Sequence, residues 1–204
     1  MFGIGRSVRK FSCLVPCLLL LGAFSGCSFA YAAPTPEQSA IIAEQTKVIE
    51  ANPKDYKAYF RRARAYRDAD MVREAIEDCK RGLAINGKSQ HLWVLLSGLL
   101  FSQKDYKGAL SASKRAQECG PFNVFIGGIE VGCLRLLGQN QRCFNRCDEL
   151  ISKCPNYADY YFFRSSARAG LGGDRVKVIQ DLKVAIKLDP TNQTYKHELE
   201  LLLK

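Results

Sequence analysis

The chain has 204 residues, 47% of them hydrophobic and 25% charged, which excludes a disordered polymer and suits a folded body with a sizeable core. The formal net charge is +10, but Arg6, Arg9 and Lys10 crowd the first ten positions and no acidic residue precedes Glu37, so residues 33–204 carry +7. A balance of that size favours acidic partners, gives no reason to expect nucleic acid, and says little about fold.

The first 32 residues read as a targeting leader. A basic stretch over residues 1–10 is followed by an apolar core over residues 11–24 that contains Leu18, Leu19, Leu20 and Leu21. That core is shorter than the ~20 residues a membrane-spanning helix needs. Three outcomes stay open. Ala30-Tyr31-Ala32 offers small residues around a cleavage point before Ala33. Phe24-Ser25-Gly26-Cys27 resembles the lipobox that directs lipidation of its Cys, with Phe24 in place of the usual aliphatic residue. An uncleaved anchor is the third, because the uncharged stretch continues to Ala33. Each implies export to a cell envelope or periplasm, with membrane contact only through the leader or a lipid at Cys27.

Next comes an amphipathic segment over residues 36–51, predicted to be a capping helix within residues 33–55 and to bury Ile41, Ile42, Val48 and Ile49. From there a period dominates. The helix breakers Pro53, Gly87, Pro121, Pro155 and Pro190 are spaced by 34, 34, 34 and 35 residues. Tyr59, Trp93, Gly127 and Tyr161 keep the same interval of 34, as do Ala63, Ser97, Val131 and Ser165. Ala75, Ala109 and Cys143 continue it, and Val178 follows after 35; Gly82, Ala116 and Leu150 are likewise followed by Ala185 after 35. The extra residue therefore falls between Ser165 and Val178, and the turn Leu171-Gly172-Gly173-Asp174 is the natural place for it. Four units result, over residues 56–89, 90–123, 124–157 and 158–190, and residues 191–204 form a closing helix with Leu199 and Leu202 inward and Lys196, Glu198 and Lys204 in water.

An aromatic, a small residue four positions on, an aromatic or Leu three further, a small residue nine later and a terminal Pro resemble the tetratricopeptide-repeat pattern. Tyr59, Ala63, Tyr66, Ala75 and Gly82 carry it in the first unit, and Trp93, Ser97, Leu100, Ala109, Ala116 and Pro121 in the second. The fourth ends Ala185-Ile186-Lys187-Leu188-Asp189-Pro190, close to the family's usual ending. The third is degenerate, with Gly127 in the aromatic slot and Cys143 in a small-residue slot. The resemblance spans residues 36–190 and implies an all-α, right-handed superhelical solenoid of antiparallel helix pairs with a capping helix at each end.

In this family the first helix of each repeat lines a concave groove where extended peptides bind. Carried over slot by slot, the groove takes Lys57, Phe60, Arg64 and Arg67 with Asp68 from the first unit and His91, Val94, Gly98 and Phe101 from the second. The third gives Phe125, Gly128, Gly132 and Arg135, and the fourth Asp159, Phe162, Ser166 and Ala169. Arginine forks match carboxylates and phenylalanine supplies rigid contact area, so the implied partner is a protein segment bearing acidic and apolar side chains. The competing reading makes Arg61-Arg62-Ala63-Arg64-Ala65-Tyr66-Arg67 a solvated helix face. The two-carboxylate clamp of chaperone-binding relatives is not recognisable, because Phe60, Arg64 and Leu95 stand where Lys and Asn are needed.

Six cysteines follow the leader, an even number that permits disulfides in an exported chain. Cys79, Cys143 and Cys147 fall in slots the family buries, as small hydrophobes. Cys119 and Cys154 both end second helices near the start of the helix at Val124, which makes them the candidate disulfide. Cys143 and Cys147 lie one helical turn apart, which can support a metal, but no His is near in sequence, and none is expected. His91 and His197 are the only histidines and have no nucleophile partner, and Gly170-Leu171-Gly172-Gly173-Asp174 lacks the preceding strand of a phosphate loop. No catalytic residue and no cofactor are expected. The readings that remain are a protein-interaction scaffold or assembly factor at the envelope, a non-catalytic regulatory subunit of an envelope enzyme, or a basic solenoid that binds an anionic polymer.

Overall fold

The computed structural model describes residues 33–204; the leader, its cleavage or anchoring, and lipidation at Cys27 lie outside the described residues. The described residues form helices only: α1 Pro36–Ala51, α2 Tyr56–Asp68, α3 Val72–Ile85, α4 Gln90–Ser102, α5 Tyr106–Glu118, α6 Val124–Leu136, α7 Asn140–Lys153, α8 Ala158–Gly170, α9 Arg175–Leu188 and α10 Gln193–Leu203. The helix starts follow local chemistry. Thr35 and Gln38 close a capping box on α1, whose first residue is Pro36. Asp55, Asp105, Asn123, Asp174 and Asn192 each accept from a backbone N–H in the first turn they precede.

Each pair of helices turns through one residue with positive φ, and these residues also recur every 34 positions: Asp70 (59°), Lys104 (62°), Gly138 (69°) and Gly172 (68°). This left-handed residue ends a first helix and reverses the chain. One residue separates Asp70 from Val72, Lys104 from Tyr106 and Gly138 from Asn140, whereas two separate Gly172 from Arg175. The inserted residue thus sits just after Gly172, outside both helices, where it costs no packing.

The core is a chain of layers. Ile49, Ala58 and Tyr59 form the first. Ala63, Ala75, Cys79, Leu83, Leu92, Leu95, Leu96, Leu99 and Ala112 form the second. The third joins Ala109 and Leu110 to Ile129, Val131, Cys133, Leu134, Cys143, Cys147, Leu150, Tyr160 and Ala167. Small residues at the crossings, Ala63 with Ala75 and Ser97 with Ala109, let the paired backbones approach, and α2–α3 and α4–α5 pack most extensively.

End helices have one neighbour and bury a narrower stripe. On α1, Ile49 is buried and Ile42 and Val48 are half-buried, but Ile41, expected to face inward, is exposed. Gln45 takes its place, with a buried Oε1 that has no hydrogen-bond partner. On α10, Leu199 and Leu202 are half-buried, and so is Lys196, which the sequence placed in water; Tyr195 is the residue α10 buries.

Candidate functional site

The first helices touch one another directly, α2 to α4, α4 to α6 and α6 to α8, while the second helices make no comparably close approach. The stack is therefore tighter on the first-helix side, which makes that side its inner face.

At one end of this face the Phe60 ring meets His91 edge-on, with centroids 5.8 Å apart. The Arg64 guanidinium lies 5.8 Å from the centre of the Phe60 ring, and Arg64 makes no ion pair among the described residues. Lys57 is exposed on the first turn of α2. Arg67 is engaged: its guanidinium donates to the Asp68 carboxylate at 2.7 Å. In the middle, Phe125 is 55% exposed and its ring lies over Gly98, where a Cβ would stand 3.8 Å from the ring edge. Val94 is half-buried beside it on α4. Gly132 receives the Phe101 and Phe163 rings, at 3.3 and 3.5 Å from the position a Cβ would take.

Arg135 ends α6. Its guanidinium lies 5.9 Å from the centre of the Phe163 ring, and its buried Nε has no hydrogen-bond partner. Phe162 is held between Phe163 (5.5 Å) and Tyr195 of α10 (5.1 Å), so the closing helix covers that end of the face. The Tyr195 hydroxyl donates to Asp159, which leaves Asp159 occupied. Burial, then that hydrogen bond, push the Tyr195 phenol well above its ordinary range.

The structure thus divides the basic run of α2 by position. Arg61 is exposed, Arg62 is buried, and Arg64 lies on the inner face. Arg62 grips Asp78 of α3 through two hydrogen bonds of 2.6 and 2.8 Å and donates to Thr46 of α1 at 2.9 Å. The hydrogen bond to Asp78 raises its pKa despite burial. The same two slots hold Glu130 with Arg146 in the third repeat (2.8 Å) and Arg164 with Asp181 in the fourth (2.6 Å). The second repeat has Leu96 and Ala112 there, both in the core. Sequence reasoning missed this ladder, although an acid and a base 16 or 17 residues apart in the same slots of three of the four repeats was a usable signal.

The cysteines correct one expectation. Cys119 and Cys154 are free thiols, not a bridge. The Cys119 Sγ faces the Gly87 carbonyl at 3.7 Å, at the end of α3, whereas Cys154 packs against the third core layer. Cys79, Cys133, Cys143 and Cys147 are fully buried free thiols. Burial pushes Cys79 and Cys133 up to about 12. Among the described residues, no group of three or more His, Cys, Asp or Glu could hold a metal ion.

A stack of antiparallel helix pairs with one tight, aromatic face is a helical-repeat solenoid. The solved structures it is similar to make the repeat a tetratricopeptide one. YrrB, described as a TPR protein with an unusual peptide-binding site, superposes with a TM-score of 0.73 at 21% identity over 80% of this chain and 84% of YrrB. MamA gives 0.69 at 19% identity over 78% of this chain and 86% of MamA. A thermophilic TPR protein of Thermus thermophilus gives 0.57 at 16% identity over 81% of this chain and 90% of that one. The chain accordingly has the tetratricopeptide-repeat fold. Among curated proteins, "FK506-binding protein-like" of Rattus norvegicus is 32% identical over 79 residues, 39% of this chain and 22% of the relative. The chain thus spans about a fifth of that relative's length. No protein-family model matches the chain.

Proposed function

We propose that this protein is a non-catalytic interaction scaffold at the cell envelope whose inner face, lined by α2, α4, α6 and α8, takes an extended segment of a partner protein. The observation that carries the reading is the unbroken run of rings and small residues across that face, from Phe60 and His91 through Gly98 and Phe125 to Gly132 and Phe163. Rigid rings beside glycines offer contact area while letting a peptide backbone come close. A peptide-binding site in the similarly folded YrrB supports a peptide partner. The basic and apolar leader supports export, with cleavage before Ala33, an acyl chain at Cys27 or an uncleaved anchor as its three outcomes.

A photocrosslinking residue at Phe125 should trap a defined partner in an envelope preparation, whereas one at exposed Lys80 on α3 should not. Equal capture from both positions, or capture lost entirely at high salt, favours a basic surface binding an anionic polymer. Mass spectrometry of the mature N-terminus decides the leader: a chain still beginning at Met1 rejects both processed forms.

A further inference from the structure

Within that reading of the inner face, two of its arginines rest against phenylalanine rings and make no ion pair among the described residues. Arg64 lies against the Phe60 ring at 5.8 Å and Arg135 against the Phe163 ring at 5.9 Å. A ring face holds a guanidinium in place by its flat side and leaves the N–H edge free. Neither Arg64 nor Arg135 has a carboxylate partner among the described residues, although Arg62, Arg67, Arg115, Arg146, Arg164 and Arg168 all do. Arg135 is the sharper case, because its Nε is buried without an acceptor. Leaving a buried charged donor unpaired is costly, and an incoming carboxylate would supply the missing acceptor.

Between the two arginines the face carries no acidic side chain. It offers Val94, Gly98, Phe125 and Gly132, which are apolar or small. We infer that the partner segment is an extended strand with two acidic side chains, one for Arg64 and one for Arg135, separated by small or apolar residues. Geometry sets the separation. Arg64 is on α2 and Arg135 on α6, with only α4 between them. Packed helices stand ~8–10 Å apart, so the two axes are roughly 16–20 Å apart. An extended chain advances about 3.3 Å per residue, so five or six residues cover that span.

The test uses the full chain and N-acetylated, C-amidated peptides of Ala, Leu and Ser bearing two Asp residues at separations of two to eight positions, with Asn counterparts. Fluorescence anisotropy should show tightest binding at a separation of five or six, weakened roughly tenfold or more when either Asp becomes Asn. Arg64→Gln, at an exposed position, should abolish the advantage of one Asp, and Arg135→Gln that of the other. Arg135→Lys, with the charge retained, guards against a folding defect. Affinity indifferent to spacing, to Asn replacement or to both arginines overturns the inference, as does no binding at millimolar peptide. Phe125→Ser separates the two levels. If it weakens every peptide while spacing and arginines do not matter, the groove stands and the two-arginine pairing falls. If it changes nothing, the groove reading falls with it.

Discussion

The first and third repeats solve the same packing problem differently. In the first, Ala63 crosses Ala75, both fully buried, and α2 lies close along α3. In the third, Val131 crosses Cys143, and α6 and α7 have the least extensive packing of the four pairs. Bulk at a crossing holds two backbones apart. The polar pair is reversed as well: Arg62 on α2 grips Asp78 on α3, whereas Glu130 on α6 grips Arg146 on α7. Asp78 is 3% exposed in its side chain, but Glu130 and Arg146 border an open cleft of about 570 Å³ with Lys114, Arg142 and Glu149. A repeat can tolerate a poor crossing if its neighbours fill the gap, and here α8 does so. The Tyr160 ring is fully buried, and its hydroxyl donates to the Val124 carbonyl at 2.8 Å, against Gly127, where the repeat pattern calls for an aromatic of its own.

The largest expected effect probes the two polar pairs. Asp78→Ala leaves Arg62 buried and unpaired and should cost about 3–5 kcal/mol in urea unfolding. Glu130→Ala should cost distinctly less, because the cleft admits water to Arg146 and Glu149 still accepts from it at 2.6 Å. Equal losses would break the contrast between the repeats. Next is Gly127→Tyr, which restores the pattern's aromatic. It should destabilise by about 1–3 kcal/mol through overpacking. The reason is that even a Cβ there would stand 2.6 Å from the Tyr160 hydroxyl. A stabilised variant would mean that α8 does not fill the third repeat.

In alkali the two repeats should behave alike. Cys79 and Cys133 ionise near 9 when unfolded but are held up to about 12 by burial in the fold. Between those values the unfolded chain has lost protons that the fold retains, so stability falls as pH rises from about 9 to about 12. Thermal melts across that window should show the decline, and Cys79→Ala or Cys133→Ala should each flatten it; a decline unchanged in both variants would refute the burial argument. The smallest effect concerns reactivity, with little change in stability. Native alkylation should label half-buried Cys119 and Cys154 and spare Cys79, Cys133, Cys143 and Cys147, with no mass change on prior reduction. A reducible Cys119–Cys154 species would reinstate the bridge.

The helical-repeat class was legible because packing forces periodicity into the chain. A small residue must stand wherever two helices cross, and a breaker wherever one ends, so Ala63, Ser97 and Ser165 reveal the interval directly. The inner-face residues could be enumerated from the same interval, but their states could not. Arg62 and Arg64 are two positions apart in one basic run; one is buried against Asp78 and the other rests on Phe60. Composition treats them alike, because the difference lies in which way each points from the helix and what a helix 16 residues on presents.

The sequence by itself determined the all-α repeat, the number of helix pairs and the turn that holds the extra residue, since these follow from local breakers and from slots that recur along the chain. Only the tertiary structure decided that Tyr160 of one repeat fills the gap at Gly127 of another, that Cys119 and Cys154 stay apart, and that Arg64 and Arg135 are left without carboxylates. Each of these depends on atoms brought together from different helices, and a one-dimensional period fixes where a residue recurs, not which neighbour reaches it.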